Sequence, residues 1–222
     1  MKKLIIVTVT LVMFAATVSA QETSFGIKGG LNLAKLSNTN MGSNVNNAPG
    51  VDAKTLPGFH VGAFLEHKFN DLLGISPEFV YSMQGERVKA NYSGFGTESK
   101  VSLNYLNIPL LAKIYAVEGL SIDVGPQFGV LLSAKQKVKF SVPGEYRDLF
   151  GDGYDEEENI KDGTNTFDMG IGIGATWNIG KFLFQGRYNL GITDTVKYEG
   201  EKPSGYKALR NNVLQISAGF RF

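Results

Sequence analysis

The segment from Leu214 to the end of the sequence alternates strictly between apolar and small or polar residues. Its apolar residues are Leu214, Ile216, Ala218, Phe220 and Phe222. A period of two is typical of a β-strand with one apolar face. In a soluble domain that face would lie in a protein core, whereas in an outer-membrane barrel it would face lipid. The interpretation of the fold therefore depends on which solvent meets the apolar face.

Further segments alternate in the same way, so that the chain contains about eight such strands. They begin at Phe25, Phe59, Leu73, Leu106, Leu120, Phe167 and Phe182. Their apolar faces carry no Asp, Glu, Lys or Arg, although 19% of the chain is charged. A charged side chain that faces lipid at mid-bilayer costs about 2–4 kcal/mol, so this exclusion favours lipid as the solvent.

The connections between these segments alternate in length. Short turns occupy residues 70–72, 117–119 and 178–180, and long connections run over about 35–56, 85–100, 133–166 and 193–210. Short periplasmic turns and long external loops are typical of outer-membrane barrels, and a soluble sandwich has no reason to place every long loop at one end. The sequence predicts an all-β fold: a single antiparallel up-and-down transmembrane β-barrel of about eight strands.

Residues 1–20 have the features of a secretory signal peptide that is removed, which leaves a barrel domain over 21–222. Lys2 and Lys3 precede an apolar run, and Val18 and Ala20 supply small residues just before the expected cleavage site. Without these two lysines the chain has 20 basic and 21 acidic residues, a balance that gives no support for nucleic-acid binding. The chain has no cysteine, so disulfides and cysteine-based metal sites are excluded.

Charged residues of both signs occupy the opposite faces of the strands. They are Lys28, Glu66, Lys68, Glu78, Lys113, Asp123, Asp168, Arg187 and Arg221. An unpaired ion in a narrow lumen is costly, so the near-balance of charge predicts a structural network of ion pairs. Adjacent strands can pair Lys113 with Asp123, and Asp168 with Arg187. In a soluble barrel the same residues would point at water.

Aromatic residues fall towards the strand ends, as in the aromatic girdles of membrane barrels. They include Tyr81, Tyr115, Trp177, Phe182, Phe220 and Phe222. A terminal phenylalanine also resembles the signal by which outer-membrane barrels are handed to the barrel-insertion machinery. Pro77, Pro109 and Pro126 interrupt strands that have no free edge in a closed barrel, and local β-bulges are expected there.

Four segments carry a family resemblance: YLNIPLLAKIY (105–115), GPQFGVLLSAK (125–135), FDMGIGIGATW (167–177) and GRYNLGITD (186–194). In order and spacing they resemble the PorT-like outer-membrane β-barrel family of Bacteroidota. The resemblance implies a single-domain barrel similar in architecture to OmpX and to the barrel of OmpA. The shared segments are framework residues, so the resemblance implies no active site.

His60 is the strongest candidate for catalysis. It is predicted to face the lumen near the external rim, where a small lipid-modifying barrel enzyme could use histidine together with Ser or Asp. Such a site needs a nucleophile or activated water, a base and an orienting group. The surrounding segment PGFHVGAF supplies none of them, so a structural role is favoured and no catalytic residue is predicted.

The long connection EYRDLFGDGYDEEE (145–158) is strongly acidic. Carboxylates are ligands for hard cations such as Ca²⁺, but this segment does not fit the calcium-loop pattern D-x-[DN]-x-[DN]-G. No specific metal site is therefore predicted. The hypothesis that we favour is that this loop shares divalent ions with the anionic lipopolysaccharide around it.

These features predict a monomer in the cell outer membrane, without enzymatic activity, cofactor or nucleic-acid partner. Its role would be structural or interactive, through extracellular loops that meet outer-membrane lipid, lipopolysaccharide or a protein partner. Four alternatives remain open at this point: a narrow channel, a small membrane-embedded lipid-modifying enzyme, an accessory to protein secretion, and a soluble periplasmic barrel that binds an apolar ligand.

Overall fold

A computed structural model describes residues 23–37, 51–92, 94–151, 153–198, 200–202, 204–206 and 208–222. For residues 37, 51–53 and 149–150 the structure describes the backbone alone. The predicted signal peptide, residues 1–20, lies outside the described residues, so its assignment stays a prediction.

The described residues form nine strands: β1 (Thr23–Ser37), β2 (Val51–Lys68), β3 (Leu73–Tyr92), β4 (Phe95–Val117), β5 (Leu120–Ser141), β6 (Gly153–Asn159), β7 (Phe167–Ile179), β8 (Phe182–Gly191) and β9 (Arg210–Arg221). Short helical turns cover Gly144–Tyr146, Arg147–Phe150 and Lys161–Gly163. None of the helices in this part of the chain is long and apolar enough to cross a membrane.

Eight antiparallel strands close into a ring in the order β1-β2-β3-β4-β5-β7-β8-β9, because β9 pairs with β1 and β4 pairs with β5. The ring confirms the predicted all-β antiparallel barrel. The turns after β2, β4 and β7 lie at one end of the ring, which is the periplasmic end in barrels of this type.

The alternation of side chains also follows the prediction. Outward apolar residues are exposed, as Ile27 at 55% and Ile173 at 56% illustrate. Many of their inward neighbours are polar and buried, as Lys28 at 3% exposure illustrates, while others, such as Val80 and Leu111, are apolar and buried. Water-soluble monomers rarely expose a contiguous apolar band of this kind, whereas a membrane barrel needs one.

The strands extend further at the opposite, extracellular end than the sequence predicts. The sequence predicts a long connection over residues 85–100, but β3 and β4 stay paired as far as Tyr92 and Phe95. The outward side of these strands becomes charged at Arg87, Lys89 and Glu98, while the backbone hydrogen-bond ladder continues. Periodicity therefore underestimates the length of these strands.

The predicted loop 133–166 likewise contains regular structure. The last part of β5 leaves the ring and pairs with β6 through Lys135↔Asn159 to Ser141↔Gly153. Together with the outer ends of β2, β3 and β4, these segments form an antiparallel sheet above the barrel, over residues 51–55, 86–92, 95–101, 135–141 and 153–159. We call it the extracellular sheet.

The expectation of bulges at the prolines is wrong. On both sides of Pro77 the register with β4 is the same, since Pro77 opposes Leu110 and Val80 opposes Asn107. The prolines interrupt the ladder without inserting a residue, and the actual register shifts lie elsewhere, for example between Asn104 and Tyr105.

Candidate functional site

Glu78 is the centre of a buried ion cluster in the lumen. Its carboxylate lies 2.7 Å from Lys28 Nζ and 2.9 Å from Arg187 Nη2. Lys28 also donates a hydrogen bond to Gln185 Oε1, and Arg187 Nε donates one to Gln215 Oε1. Each ion therefore has a charged or polar partner inside the barrel, as burial of a charge requires.

A second ion cluster lies nearer the periplasmic end. Lys113 Nζ is 3.1 Å from Glu66 Oε2 and 3.4 Å from Asp123 Oδ1. The amide nitrogen of Gln185 donates to Asp123 Oδ2, while its oxygen accepts from Lys28. Gln185 thus joins the two clusters into one polar network, which we call the lumenal network.

Asp168 lies apart from this network, near the extracellular end. Its carboxylate accepts a hydrogen bond of 2.6 Å from the hydroxyl of Thr193. The suggested pairing of Asp168 with Arg187 is wrong, because Arg187 lies opposite Gly174, about 20 Å further along β7 at the usual rise per residue. Strand adjacency alone predicted this pair, but the register separates its two members.

Lys68 and Arg221 lie at the periplasmic mouth. Lys68 is exposed, and its ammonium group lies 4.3 Å from the centre of the Tyr115 ring. Arg221 is partly exposed and lies 3.7 Å from Glu66 Oε1. Tyr115 itself is buried and faces inward, so its assignment to a lipid-facing girdle is wrong.

An apolar plug closes the extracellular end of the lumen. It combines buried residues of the strands with partly buried residues packed on them: Leu36, Leu103, Tyr105, Leu131, Ala134, Val101, Ile160 and Leu209. Ile160 and Leu209 come from the connections that precede β7 and β9. Sequence reasoning missed this plug because it assigned apolar residues only to the lipid side.

His60 lies between Asn32 and Ser217 in the lumen. Its Nδ1 is 2.8 Å from Asn32 Oδ1, and its Nε2 is 2.8 Å from Ser217 Oγ. This is the order of orienting group, base and nucleophile found in hydrolase triads. The three side chains are at most 4% exposed, however, so the Ser217 hydroxyl is out of reach of a lipid-sized substrate.

Asn32 and Ser217 were not predicted as partners of His60, because they lie on β1 and β9 and are distant from it in sequence. Asn32 also donates to the Ser82 hydroxyl and accepts from Gln215. Since Gln215 accepts from Arg187, the histidine is connected to the lumenal network. The contacts of His60 are those of a structural residue.

Salt bridges cross the outward side of the extracellular sheet. They join Glu98 to Arg87 and Lys89, Asp155 to Lys137 and Lys139, and Glu157 to Lys135, over 2.6–3.3 Å. Burial raises the pKa of the Asp155 carboxyl, but hydrogen bonds from Lys137 and Lys139 outweigh burial and hold that pKa below its ordinary value.

The acidic segment 145–158 therefore does not form a free loop throughout. Asp155 and Glu157 lie on β6 and pair with lysines of β5. Asp152 lies outside the described residues. Within the part of the chain that the structure describes, no group of three or more His, Asp or Glu side chains could hold a metal ion.

This chain is similar to known outer-membrane proteins in its sequence family and in its fold. Residues 19–197 match a family described as "Outer membrane protein beta-barrel domain". The fold is similar to Ail, the attachment invasion locus protein of Yersinia pestis, at 17% identity over 90% of this chain and 99% of that one, with a TM-score of 0.43. The fold is also similar to that of CarO from Acinetobacter baumannii, at 11% identity over 89% of this chain and 97% of that one, with a TM-score of 0.46. A search of curated proteins found no match.

The family match covers most of the chain and includes eight of the nine strands. It does not separate the PorT-like family of Bacteroidota from other small barrels, so that finer resemblance stays a prediction. With the closed ring and the exposed apolar band, the match places the protein in the outer membrane and rules out the soluble periplasmic alternative. The chain belongs to the outer membrane protein beta-barrel domain family.

Proposed function

We propose that this protein has a non-enzymatic structural or interaction role in the outer membrane, acting through its extracellular sheet and connections. The observation that supports this proposal is that side chains fill the lumen. An eight-stranded barrel encloses little more space than its own side chains need, and here the apolar plug lies above the lumenal network. The parts that remain free to meet a partner are outside the barrel.

A channel is disfavoured by the same arrangement. A solute path would have to separate Glu78 from Lys28 and Arg187, and breaking a buried ion pair is strongly unfavourable. It would also have to wet the apolar plug, whose central residues Leu103 and Ala134 are fully buried. Neither step has a compensating interaction.

We further infer that the protein is a monomer surrounded by outer-membrane lipid and lipopolysaccharide, and that its C-terminus is read by the barrel-insertion machinery. Support for the last point comes from Phe222, whose ring stacks on Phe25 at 5.0 Å and meets Phe220 at 5.6 Å. An exposed aromatic cluster at the periplasmic rim is a surface that such machinery can bind.

Two assays on the refolded protein test this proposal. In a planar bilayer we expect no conductance steps, while a general diffusion porin in the same bilayer gives them. Incubated with phospholipid and lipopolysaccharide, the wild type and its His60→Ala variant are both expected to leave the lipids unchanged. The control is His67→Ala, which removes the half-buried histidine at the periplasmic end of β2, and it should leave them unchanged as well. Discrete conductance steps, or lipid cleavage that only His60→Ala abolishes, would refute the proposal.

A further inference from the structure

The outward side of the extracellular sheet carries an excess of positive charge. Residues directly opposite each other in the register share one side of a sheet, and this side holds Arg87, Lys89, Lys100, Lys135, Lys137 and Lys139. We call these six residues the basic face. The carboxylates described on the same side are Glu98, Asp155 and Glu157. Lys54 on β2 lies directly opposite Arg87 and shares this side, so seven cations meet the three carboxylates described there.

Three of these cations are aligned across adjacent strands. Arg87 lies directly opposite Lys100, and Lys100 lies directly opposite Lys137. Like charges in opposed positions destabilise a sheet. Glu98 pairs with Arg87 and Asp155 pairs with Lys137, but Lys100 forms no ion pair within the described residues. The sheet alone gives no reason for this row of cations, whereas an anionic ligand would.

The basic face continues the lipid-facing side of the barrel. On β4, Lys100 shares its side with Leu106, which is exposed to lipid. The six residue steps from Lys100 to Leu106 correspond to about 20 Å along the strand, or about 15 Å of height at a tilt of about 40°. Lys161 adds a cation below this face, where its ammonium group donates to the carbonyl oxygen of Leu132. The face thus looks sideways, over the headgroups of neighbouring lipids.

We propose that the basic face binds the phosphate groups of lipopolysaccharide in the outer leaflet. These phosphates are anions fixed to a lipid beside the barrel, at the height where the cations are aligned. Lysine ammonium groups bind phosphate as point charges, and an arginine guanidinium can bind it through two parallel hydrogen bonds. A phosphate between Arg87, Lys100 and Lys137 would also remove their mutual repulsion. This inference rests on the proposed interaction role and names its partner.

The test compares two double variants with equal loss of charge. Lys100→Gln with Lys137→Gln removes two members of the basic face and leaves Asp155 paired with Lys139. The control, Lys68→Gln with Lys181→Gln, removes two exposed lysines that lie over aromatic rings at the periplasmic end. Each protein is placed in phosphatidylcholine nanodiscs, and purified lipopolysaccharide is added with a chelator so that shared divalent ions play no part. Equal heat-modifiable gel mobility verifies folding.

Binding affinity and hydrogen–deuterium exchange over residues 87–100 and 135–141 are the readouts. Lipopolysaccharide should protect both segments in the wild type and in the control, and it should bind the Lys100/Lys137 variant about tenfold more weakly. Dephosphorylated lipopolysaccharide and inorganic phosphate should give no protection. Unchanged affinity of that variant, or equal protection by the dephosphorylated form, would overturn the proposal. Equal protection by inorganic phosphate would assign the face to free phosphate and overturn it as well.

Stability without lipopolysaccharide provides a second readout. Removing Lys100 and Lys137 relieves like-charge repulsion and breaks only one exposed ion pair, Lys137 with Asp155, so the stability of this variant in phosphatidylcholine alone should stay close to that of the wild type. A loss of stability there would mean that the lysines support the sheet itself, and it would contradict a binding role. The conductance and lipid-cleavage assays do not depend on these lysines, so failure here is distinguishable from failure of the proposed function.

Discussion

Glu78→Gln is expected to lower the free energy of unfolding by about 3–5 kcal/mol. Glutamine preserves the size of the side chain but removes the charge that lies 2.7 Å from Lys28 and 2.9 Å from Arg187. Both cations then stay buried without their counter-ion, and an uncompensated buried charge is what makes such a loss large. Urea unfolding of the barrel in phospholipid vesicles, followed by the fluorescence of Trp177, measures the change.

Glu118→Gln is the matched control for this variant. Glu118 is exposed in the turn between β4 and β5, so the same chemical change there should alter stability by less than about 0.5 kcal/mol. Adding Lys28→Met to Glu78→Gln should recover part of the loss, because it removes one of the two orphaned cations. A Glu78→Gln protein within about 1 kcal/mol of the wild type would contradict a stabilising role for the ion cluster.

Ile173→Arg should cost about 2–4 kcal/mol and reduce the amount of protein inserted in the membrane. Ile173 lies near the middle of β7, and its neighbours in the register are Val124 and Tyr188. Its side chain is 56% exposed, so an arginine there would be well solvated if the surroundings were water. In hydrocarbon the guanidinium has to be desolvated or drawn to the interface. Urea titration and membrane fractionation measure the two effects.

Tyr92→Arg separates the effect of solvent from the effect of exposure. Tyr92 is 80% exposed at the end of β3 in the extracellular sheet, where we expect water. Arginine at this position should change stability by less than about 0.5 kcal/mol. Equal costs at Ile173 and Tyr92 would show that both side chains meet the same solvent, contrary to the assignment of a lipid-facing band.

The transmembrane part of the fold could be predicted because lipid imposes a strict pattern on it. A residue such as Ile216 has only hydrocarbon outside it, which keeps charged side chains off the outward face of each spanning strand. The same pattern could not predict the extracellular sheet. There the outward side of β3, from Arg87 onwards, is charged, and cross-strand ion pairs take the place of apolar residues on that side.

The lumen was only partly predictable. Inward charges such as Glu78 and Lys113 were assigned to it, but which residues meet depends on register and side-chain length, which periodicity does not supply. The sequence indicates the apolar plug more weakly than it indicates the lumenal charges. Leu103 and Tyr105 precede Leu106 and Ile108 with apolar residues in both phases, a pattern that indicates burial on two sides. The sequence carries no signal of the His60 contacts, because Asn32 and Ser217 come close to His60 only when β1 pairs with both β2 and β9 in the closed ring.

The most direct measurement of the solvent around the barrel is the quenching of Trp177, the one tryptophan of the chain. Its side chain is 55% exposed on the outward side of β7, near the periplasmic turn. In vesicles of lipids with brominated acyl chains its emission should be strongly quenched, more by bromines near the headgroup than by bromines deep in the bilayer, and acrylamide should quench it weakly. Strong quenching by acrylamide together with none by brominated lipid would contradict a barrel whose apolar face is solvated by the membrane.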